Sequence, residues 1–323
     1  MNCNNKLTIL IPTYNRKERL FNTISNIYNQ GHWGEYKIVI VDNHSDYSVQ
    51  EMINQNFCSD FVKSVMVFRW KFNTGMSTNI SIAFEFVETE WCWFLSDDDE
   101  ILNGSLDIVL SDIQRYGNYS AIKYSIEGIC KYDNTTISSV STLLDYYAKH
   151  DSGDKYYLSM LYNIKQLYPY MSELTVRSYT YLSFWLPIIR ILNEQNNPVL
   201  MSSNTLYSYK KNNDSWSSSP EKYLQTILGI RTLFDSTYNL SFTDFKKLKK
   251  VFLSNLFFCN TVIIRILLVD DNNLRKHYYK LLNNYIVGKY PMKLIAKIIY
   301  YLFVSFHIPS QFIYKLKEYR RNM

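Results

Sequence analysis

Three aspartates and a glutamate stand in one run, Asp97-Asp98-Asp99-Glu100, directly behind the apolar stretch Trp91-Cys92-Trp93-Phe94-Leu95 and Ser96. An apolar run that ends abruptly in carboxylates reads as a buried strand delivering them to its C-terminal edge. Carboxylates this close repel, and one is driven toward its protonated form unless a cation sits among them. Oxygen-only ligands suit a hard divalent ion such as Mg²⁺ or Mn²⁺. The competing reading is an acidic turn that caps the next helix, since Asp and Glu favour helix N-termini.

Three further polar clusters follow apolar runs upstream. Thr13-Tyr14-Asn15-Arg16 follows Pro12, Asp42-Asn43-His44-Ser45-Asp46 follows Val41, and Asn73-Thr74-Gly75 lies just past Phe68. Singly, each has a plain explanation. Asp42 reads as a turn former, His44 as a solvated loop histidine, and Asn73 and Gly75 as suppliers of positive φ.

The elements that would position these clusters alternate. Leu7–Pro12, Tyr36–Val41, Val65–Phe68 and Trp91–Leu95 are short, nearly continuous apolar runs, as expected of buried parallel strands. Between them, Leu20, Ile24, Ile27 and Tyr28 recur at helical spacing, a short helix is expected over Val49–Asn56, and another over Thr78–Glu88. Asn15 with Glu18 three residues on predicts the first helix's N-cap. Such alternation implies right-handed crossovers and an α/β fold, a mostly parallel sheet with helices on both faces. Ligands in open α/β sheets bind outside the carboxyl ends of strands. All four polar clusters fall on that edge, which simple turns do not require.

Further along, Ile101 to Tyr116 predicts a helix, Tyr179 to Leu192 an apolar helix interrupted at Pro187, and Val199 to Tyr209 a strand; Leu158 to Val176 has no readable period. The loop Asn212 to Pro220 marks the expected end of the main domain, giving a division into residues 1–216 and 217–323. Beyond it helices are expected over Glu221–Asp235, Phe242–Leu268, Asn272–Val287 and Pro291–Phe306.

The chain has 323 residues, 47% hydrophobic and 16% aromatic, enough for a sizeable core. From Thr243 to Met323 there are 15 Lys and Arg against 4 Asp and Glu, whereas the rest has 20 against 25. A basic, aromatic, amphipathic C-terminal region suits an anionic membrane interface; a small helical subdomain with a solvated basic face explains it equally. Its most apolar stretch, Leu294–Val304, is shorter than the roughly 20 residues of a spanning helix. Five scattered cysteines without Cys-x-x-Cys spacing predict a reducing compartment and neither a zinc site nor a disulfide frame. No signal peptide is visible at Met1. Phosphate-binding glycine loops and the Gly-x-Ser-x-Gly elbow are missing from the sequence, and the basic runs lack the signatures of nucleic-acid modules.

Taken together, Leu7–Arg16, Ile38–Asp46, Asn73–Gly75 with its following helix, and Trp93–Ile101 resemble, in order and spacing, the family 2 glycosyltransferases of bacterial surface-polysaccharide type. The resemblance covers about the first 105 residues. It implies the GT-A fold, a Rossmann-like sheet flanked by helices, here with a C-terminal helical extension. It places Pro12, Thr13 and Tyr14 near the nucleotide base, Asp42 on the base, and Asn73 and Gly75 near base and ribose. It places Asp97 near the ribose, with Asp98 as main ligand of Mg²⁺ or Mn²⁺ and Asp99 supporting. Ser96 stands where the family's first aspartate often stands.

The resemblance further implies inverting transfer from a nucleoside-diphosphate sugar, UDP-linked, to a saccharide or lipid-linked saccharide. The metal would neutralise the leaving diphosphate and a carboxylate would take the acceptor's proton. The family's Glu-Asp-type motif is not found in clean form; Glu173, Glu194 and Asp214 are the candidates for that base, and Glu173 is chosen, against the alternative of an N-terminal helix charge. The expected location is cytoplasmic, peripheral at the inner face of the membrane, without nucleic-acid partners. Two other readings stay open: a sugar-nucleotide nucleotidyltransferase, whose glycine-rich signature after the first strand is missing here, and a nucleotide-sugar-binding domain without turnover.

Overall fold

The structure is a computed structural model and describes residues 6–150, 159–178, 184–195, 197–208 and 239–253, with single positions at 229, 232, 233, 236, 237, 273, 276 and 277. The expected loop Asn212–Pro220, the boundary at 216/217, the helices Glu221–Asp235, Asn272–Val287 and Pro291–Phe306, and Asp214 lie wholly or almost wholly outside the described residues.

The first half alternates as the apolar periodicity predicts. It runs β1 (Leu7–Thr13), α1 (Lys17–Asn29), β2 (Tyr36–Asp42), α2 (Val49–Asn56), a single helical turn α3 (Ser59–Val62), β3 (Val65–Arg69), α4 (Met76–Ala83) and β4 (Trp91–Phe94). Then come β5 (Glu100–Ile101), α5 (Ser105–Arg115), β6 (Ala121–Glu127), β7 (Thr135–Ile137), α6 (Val140–Lys149), β8 (Leu161–Asn163), α7 (Ile164–Leu167), α8 (Met171–Val176), α9 (Trp185–Arg190), β9 (Val199–Ser208) and α10 (Phe242–Leu253).

The described strands form one nine-stranded sheet in the order β3-β2-β1-β4-β8-β6-β9-β5, with β7 beside β9. The four N-terminal strands are parallel to one another. From β8 onward the sheet is mixed: β8 is antiparallel to both β4 and β6, and β6 is parallel to β9. Register is tight where it matters, since Thr13 pairs with Asp42 and Asp42 with Arg69 at the carboxyl edge.

Alternation along the strands splits the core in two. Leu7, Ile9 and Ile11 of β1 pack with Leu20, Ile24 and Ile27 of α1, with Met52 and Ile53 of α2, and with Leu106, Val109 and Ile113 of α5. Leu10 points to the other side, among Ala83 of α4, Leu143 and Leu144 of α6, Leu174 of α8, Trp185 of α9, and Leu248 and Val251 of α10. Each such buried aliphatic side chain contributes about 1.5–3 kcal/mol of transfer free energy. The described part of the C-terminal region thus joins the main core through α10.

Several expected boundaries move for local reasons. Asn15 is not the N-cap of α1: it takes the left-handed region (φ 51°), and Arg16 occupies the cap position without a side-chain cap bond. The Asn15 amide instead donates to Asp46 Oδ2 at 2.8 Å and accepts from the Asp46 backbone at 2.7 Å, tying the loop after β1 to the loop after β2. The helix expected from Ile101 begins at Ser105, because Glu100 and Ile101 pair with Ser208 and Tyr207 and the chain turns at Gly104 (φ 77°). The helix expected to reach Glu88 ends as α-helix at Ala83 and tightens into a 3₁₀ turn over Phe84–Phe86. Residues 179–183 lie outside the described residues; Pro187 does not interrupt α9, since it stands in the first turn, where its missing N–H has no helical partner.

Candidate functional site

The acidic turn sits at the carboxyl edge of β4, held from three directions. Thr13 at the end of β1 donates its hydroxyl to Asp97 Oδ2 at 2.8 Å. Thr23 on α1 donates to the Asp97 and Asp99 carbonyls at 3.3 and 3.2 Å. Ser159, just before β8, donates to Asp99 Oδ2 at 2.6 Å, and the Ser96 amide reaches the same oxygen at 3.0 Å. The Ser96 hydroxyl donates to Asp98 Oδ1 at 2.5 Å.

The positive charges come from α1. Arg16 Nη1 lies 2.7 Å from Asp97 Oδ1 and 3.1 Å from Asp98 Oδ2, and Arg19 Nη1 is 3.5 Å from the same Asp98 oxygen. The Asp97 side chain is only 5% exposed, whereas Asp98 keeps 30% of its surface. Burial pushes the Asp97 carboxyl up against the lowering influence of Arg16. Asp99 keeps some solvent contact, yet the protein packed around its carboxyl pushes it up to about 6, with Ser159 and the Ser96 amide opposing. Asp98 is thus more open than Asp97, with Oδ1 held by Ser96 and Oδ2 facing Arg16 and Arg19.

Arg16 and Arg19 carried a signal that the motif reading passed over. Two arginines at the start of a helix oppose its positive N-terminal dipole. Their spacing of three puts them on one face, so they call for an anionic partner outside the helix. Ser159 had no comparable signal, lying in a stretch without readable period.

The second polar cluster is more enclosed. Asp42 is 0% exposed; Oδ1 accepts from the Ser45 amide at 2.9 Å and Oδ2 from Arg69 Nη1 at 3.1 Å. Arg69 also donates to the carbonyls of Tyr47 and Ser45. Asn43 connects this cluster to the next. Its amide donates to Asn73 Oδ1 at 2.8 Å, and its Oδ1 accepts from the Thr74 amide and hydroxyl at 2.8 and 2.9 Å. Asn73 Oδ1 also accepts from the Gly75 amide at 2.8 Å. Gly75 adopts φ 83° and ψ 153°, a conformation that a side chain would strain. His44 is exposed, with Nδ1 3.2 Å from the Trp70 carbonyl.

The structure thus brings Thr13, Asp97, Asp98 and Asp99 into one network and Asp42, Asn73 and Gly75 into an adjacent one. The Asn43 amide donating to the Thr13 carbonyl at 2.9 Å joins the two. Pro12 is buried beside Thr13, and Tyr14 is 42% exposed at the rim. Glu173 stands elsewhere, on α8, which packs on α4 and α9. Its Oε1 accepts from Arg190 Nε at 2.8 Å, while the buried Oε2 has no hydrogen-bond partner among the described residues. Glu194 accepts from Tyr170 and lies 3.6 Å from Arg190.

Among the described residues no group of three or more His, Cys, Asp or Glu side chains is arranged to hold a metal by protein ligands alone. A hard cation shared between one or two carboxylates and substrate phosphates asks for less, and the acidic oxygens of the turn suit that mode.

The profile of glycosyl transferase family 2 matches residues 8–169. The chain belongs to this family. The match takes in β1 to α7, and with them the whole acidic edge. Among curated relatives, this family 2 protein is 27% identical over 180 residues to the abequosyltransferase RfbV of Salmonella typhimurium, covering 53% of this chain and 52% of the relative. It is 28% identical over 130 residues to the poly(ribitol-phosphate) beta-N-acetylglucosaminyltransferase TarP of Staphylococcus aureus, covering 38% of each. A third relative is the GalNAc(5)-diNAcBac-PP-undecaprenol beta-1,3-glucosyltransferase of Campylobacter jejuni, 28% identical over 105 residues, covering 32% of this chain and 33% of the relative. The matched stretches span about half or less of these relatives.

Among solved structures, a Staphylococcus aureus TarS fragment in complex with UDP-GlcNAc superposes with a TM-score of 0.63 at 16% identity, over 87% of this chain and 80% of that one. A mannosyltransferase from Pyrobaculum calidifontis in complex with GDP-Man and Mn²⁺ gives 0.51 at 9% identity, over 93% and 80%. These likenesses are of fold: the sheet flanked by helices is that of the GT-A glycosyltransferases.

Proposed function

We propose that this family 2 protein is an inverting, metal-dependent glycosyltransferase. It moves a sugar from a nucleoside-diphosphate sugar, UDP-linked, to a hydroxyl of a saccharide or lipid-linked saccharide in surface-polysaccharide synthesis. The observation that carries the reading is the Asp97–Asp99 turn set against Arg16 and Arg19 on the strand edge that also holds Asp42 and Asn73–Gly75. The family match and the names of the three transferase relatives support it, one of them acting on a PP-undecaprenol-linked saccharide. The fold shared with TarS bound to UDP-GlcNAc supports the choice of UDP.

In this reading Pro12, Thr13 and the exposed ring of Tyr14 line the base, with Asp42, Asn73 and Gly75 shaping base and ribose recognition. Asp97, fixed by Thr13 and Arg16, takes the ribose side. Asp98, with Asp99 in support, would hold Mg²⁺ or Mn²⁺ together with the donor's phosphate oxygens. When bound, that ion neutralises charge growing on the leaving diphosphate. Arg16 and Arg19 add fixed positive charge beside the same oxygens, where preorganised electrostatics counts most.

Inversion needs the acceptor oxygen to attack the anomeric carbon as the bond to the diphosphate breaks, with the acceptor's proton passing to a base. Glu173 is the proposed base; Arg190 anchors its Oε1, and its buried Oε2 has no hydrogen-bond partner among the described residues. The proposed setting is the inner face of the cell membrane, with residues 217–323 as the attaching region. Among the described residues no helix is long and apolar enough to cross a membrane.

The test is binding and slow hydrolysis across a panel of UDP-, GDP- and TDP-sugars in Mg²⁺ or Mn²⁺. Binding and turnover of one UDP-sugar is the expected result. A panel that shows no binding contradicts the reading, and binding without hydrolysis or transfer leaves a non-catalytic binding domain.

A further inference from the structure

Helix α10 turns two different faces outward and inward. Inward, Leu248 is 0% and Val251 4% exposed in the core, and Lys247 donates to Ser141 Oγ and Asp145 Oδ2 of α6 at 2.7 and 2.6 Å. These residues fix how the helix is rotated. Outward, at spacings of four, seven and eight from Phe242, stand Lys246, Lys249 and Lys250, one stripe of a 3.6-residue helix.

The stripe is aromatic as well as basic. Phe242 is 73% exposed. Lys246 Nζ lies 4.3 Å from the centre of its ring, and Lys249 Nζ lies 4.4 Å from that of Phe245. A single exposed Phe needs no explanation. Here the exposed ring sits among three lysines whose charges are not matched on that stripe, in a region with 15 Lys and Arg against 4 Asp and Glu. Lysine clusters on amphipathic helices are attracted to anionic lipid headgroups, and aromatic rings partition to the interface beneath them.

We propose that the outer face of α10, formed by Phe242, Lys246, Lys249 and Lys250, is a docking surface for an anionic lipid bilayer. The lysines meet the headgroup phosphates while Phe242 enters the interface, and the core contacts of Leu248 and Val251 transmit that orientation to the catalytic domain. The inference rests on the membrane setting proposed above, which it narrows to one face of α10, and not on the transfer chemistry.

The experiment is flotation of the full chain with vesicles of phosphatidylcholine alone and of phosphatidylcholine with phosphatidylglycerol in a two-to-one mixture, without donor or acceptor. The wild type should float with the anionic vesicles and not with the neutral ones. The double variant K246E/K249E should partition at least roughly 30-fold less, and Phe242→Ala several-fold less, both with wild-type circular dichroism and melting. K131E/K165E carries the same charge change on exposed lysines elsewhere and should float like the wild type. Failure of the wild type to float overturns the proposal. So does an α10 variant that floats unchanged, a control pair that loses as much as the α10 pair, or equal binding to neutral vesicles. Since no sugar transfer is read, failure here leaves the transferase reading standing.

Discussion

Arg16 donates to Asp97 at 2.7 Å across 81 positions of sequence, joining the start of α1 to the turn after β4. The pair closes the carboxyl edge at the point where the register sets Thr13 of β1 beside Asp97. Because the same nitrogen reaches Asp98 at 3.1 Å, Arg16 holds the turn together before any donor arrives.

Arg16→Ala should therefore damage both stability and binding. The Asp97 carboxylate would keep only its bond from Thr13, and losing a hydrogen bond to a charged group costs about 1.5–3 kcal/mol. Urea melts should show a loss of that size, together with weaker donor binding. Arg16→Lys should recover only part of either: both contacts come from the one nitrogen Nη1, and a lysine ammonium keeps the charge but not the reach or orientation of the guanidinium. Full rescue by lysine would argue against the bridging role.

Stability should fall as pH rises through the weakly acidic range. Asp99 has its folded pKa raised from 3.8 to about 6, so the folded state binds more protons than the unfolded chain between those values. Its contribution is most favourable below the unfolded pKa and is lost as pH climbs toward about 6. Asp99→Asn keeps an oxygen to accept from Ser96 and Ser159 and removes the charge. It should stabilise the metal-free protein by on the order of 1–2 kcal/mol at pH 7.5, a figure reduced for solvent screening, and by almost nothing near pH 4. Equal effects at both pH values would contradict this account.

Glu173→Gln separates two roles. As the base, its loss should lower kcat for transfer by about 100- to 10,000-fold with little change in donor KM. As only the partner of Arg190, it should lower the melting temperature and leave kcat intact. The first outcome is expected, measured on the donor identified in the panel.

Asn43→Ala should loosen the turn that carries Asn73 and Gly75. Asn43 is 1% exposed and bonds Asn73, Thr74 and, through its backbone, Thr13. Its removal should raise donor KM several-fold while kcat changes little, read by steady-state kinetics at saturating metal.

Sequence carried the N-terminal half well. The runs around Ile9, Ile38 and Trp93 are buried strands in the expected parallel set, the run around Val67 joins them as a half-exposed edge strand, and their C-terminal polar residues meet on one edge, because apolar strands of a covered sheet leave only their ends for polar chemistry. What it did not carry were pairings between distant segments. Nothing near Glu100 announces Ser208 as its strand partner, so the apolar period alone points to a helix start at Ile101 instead of Ser105. Asn15 and Glu18 have the spacing of a capping box, but the tertiary bond to Asp46 outweighed it. Ser159 reaches Asp99 only because β8 runs antiparallel beside β4, a topology without local signal.

The most direct test of the central claim is calorimetric binding of a UDP-sugar to wild type and Asp98→Asn, each with Mg²⁺ or Mn²⁺ and then with EDTA. The account predicts binding that needs the metal in the wild type and falls by about 30- to 100-fold in the variant, equivalent to about 2–3 kcal/mol. Binding that ignores EDTA, or an Asp98→Asn chain that binds like the wild type, would make the acidic turn a structural one and remove the metal-diphosphate site from the mechanism.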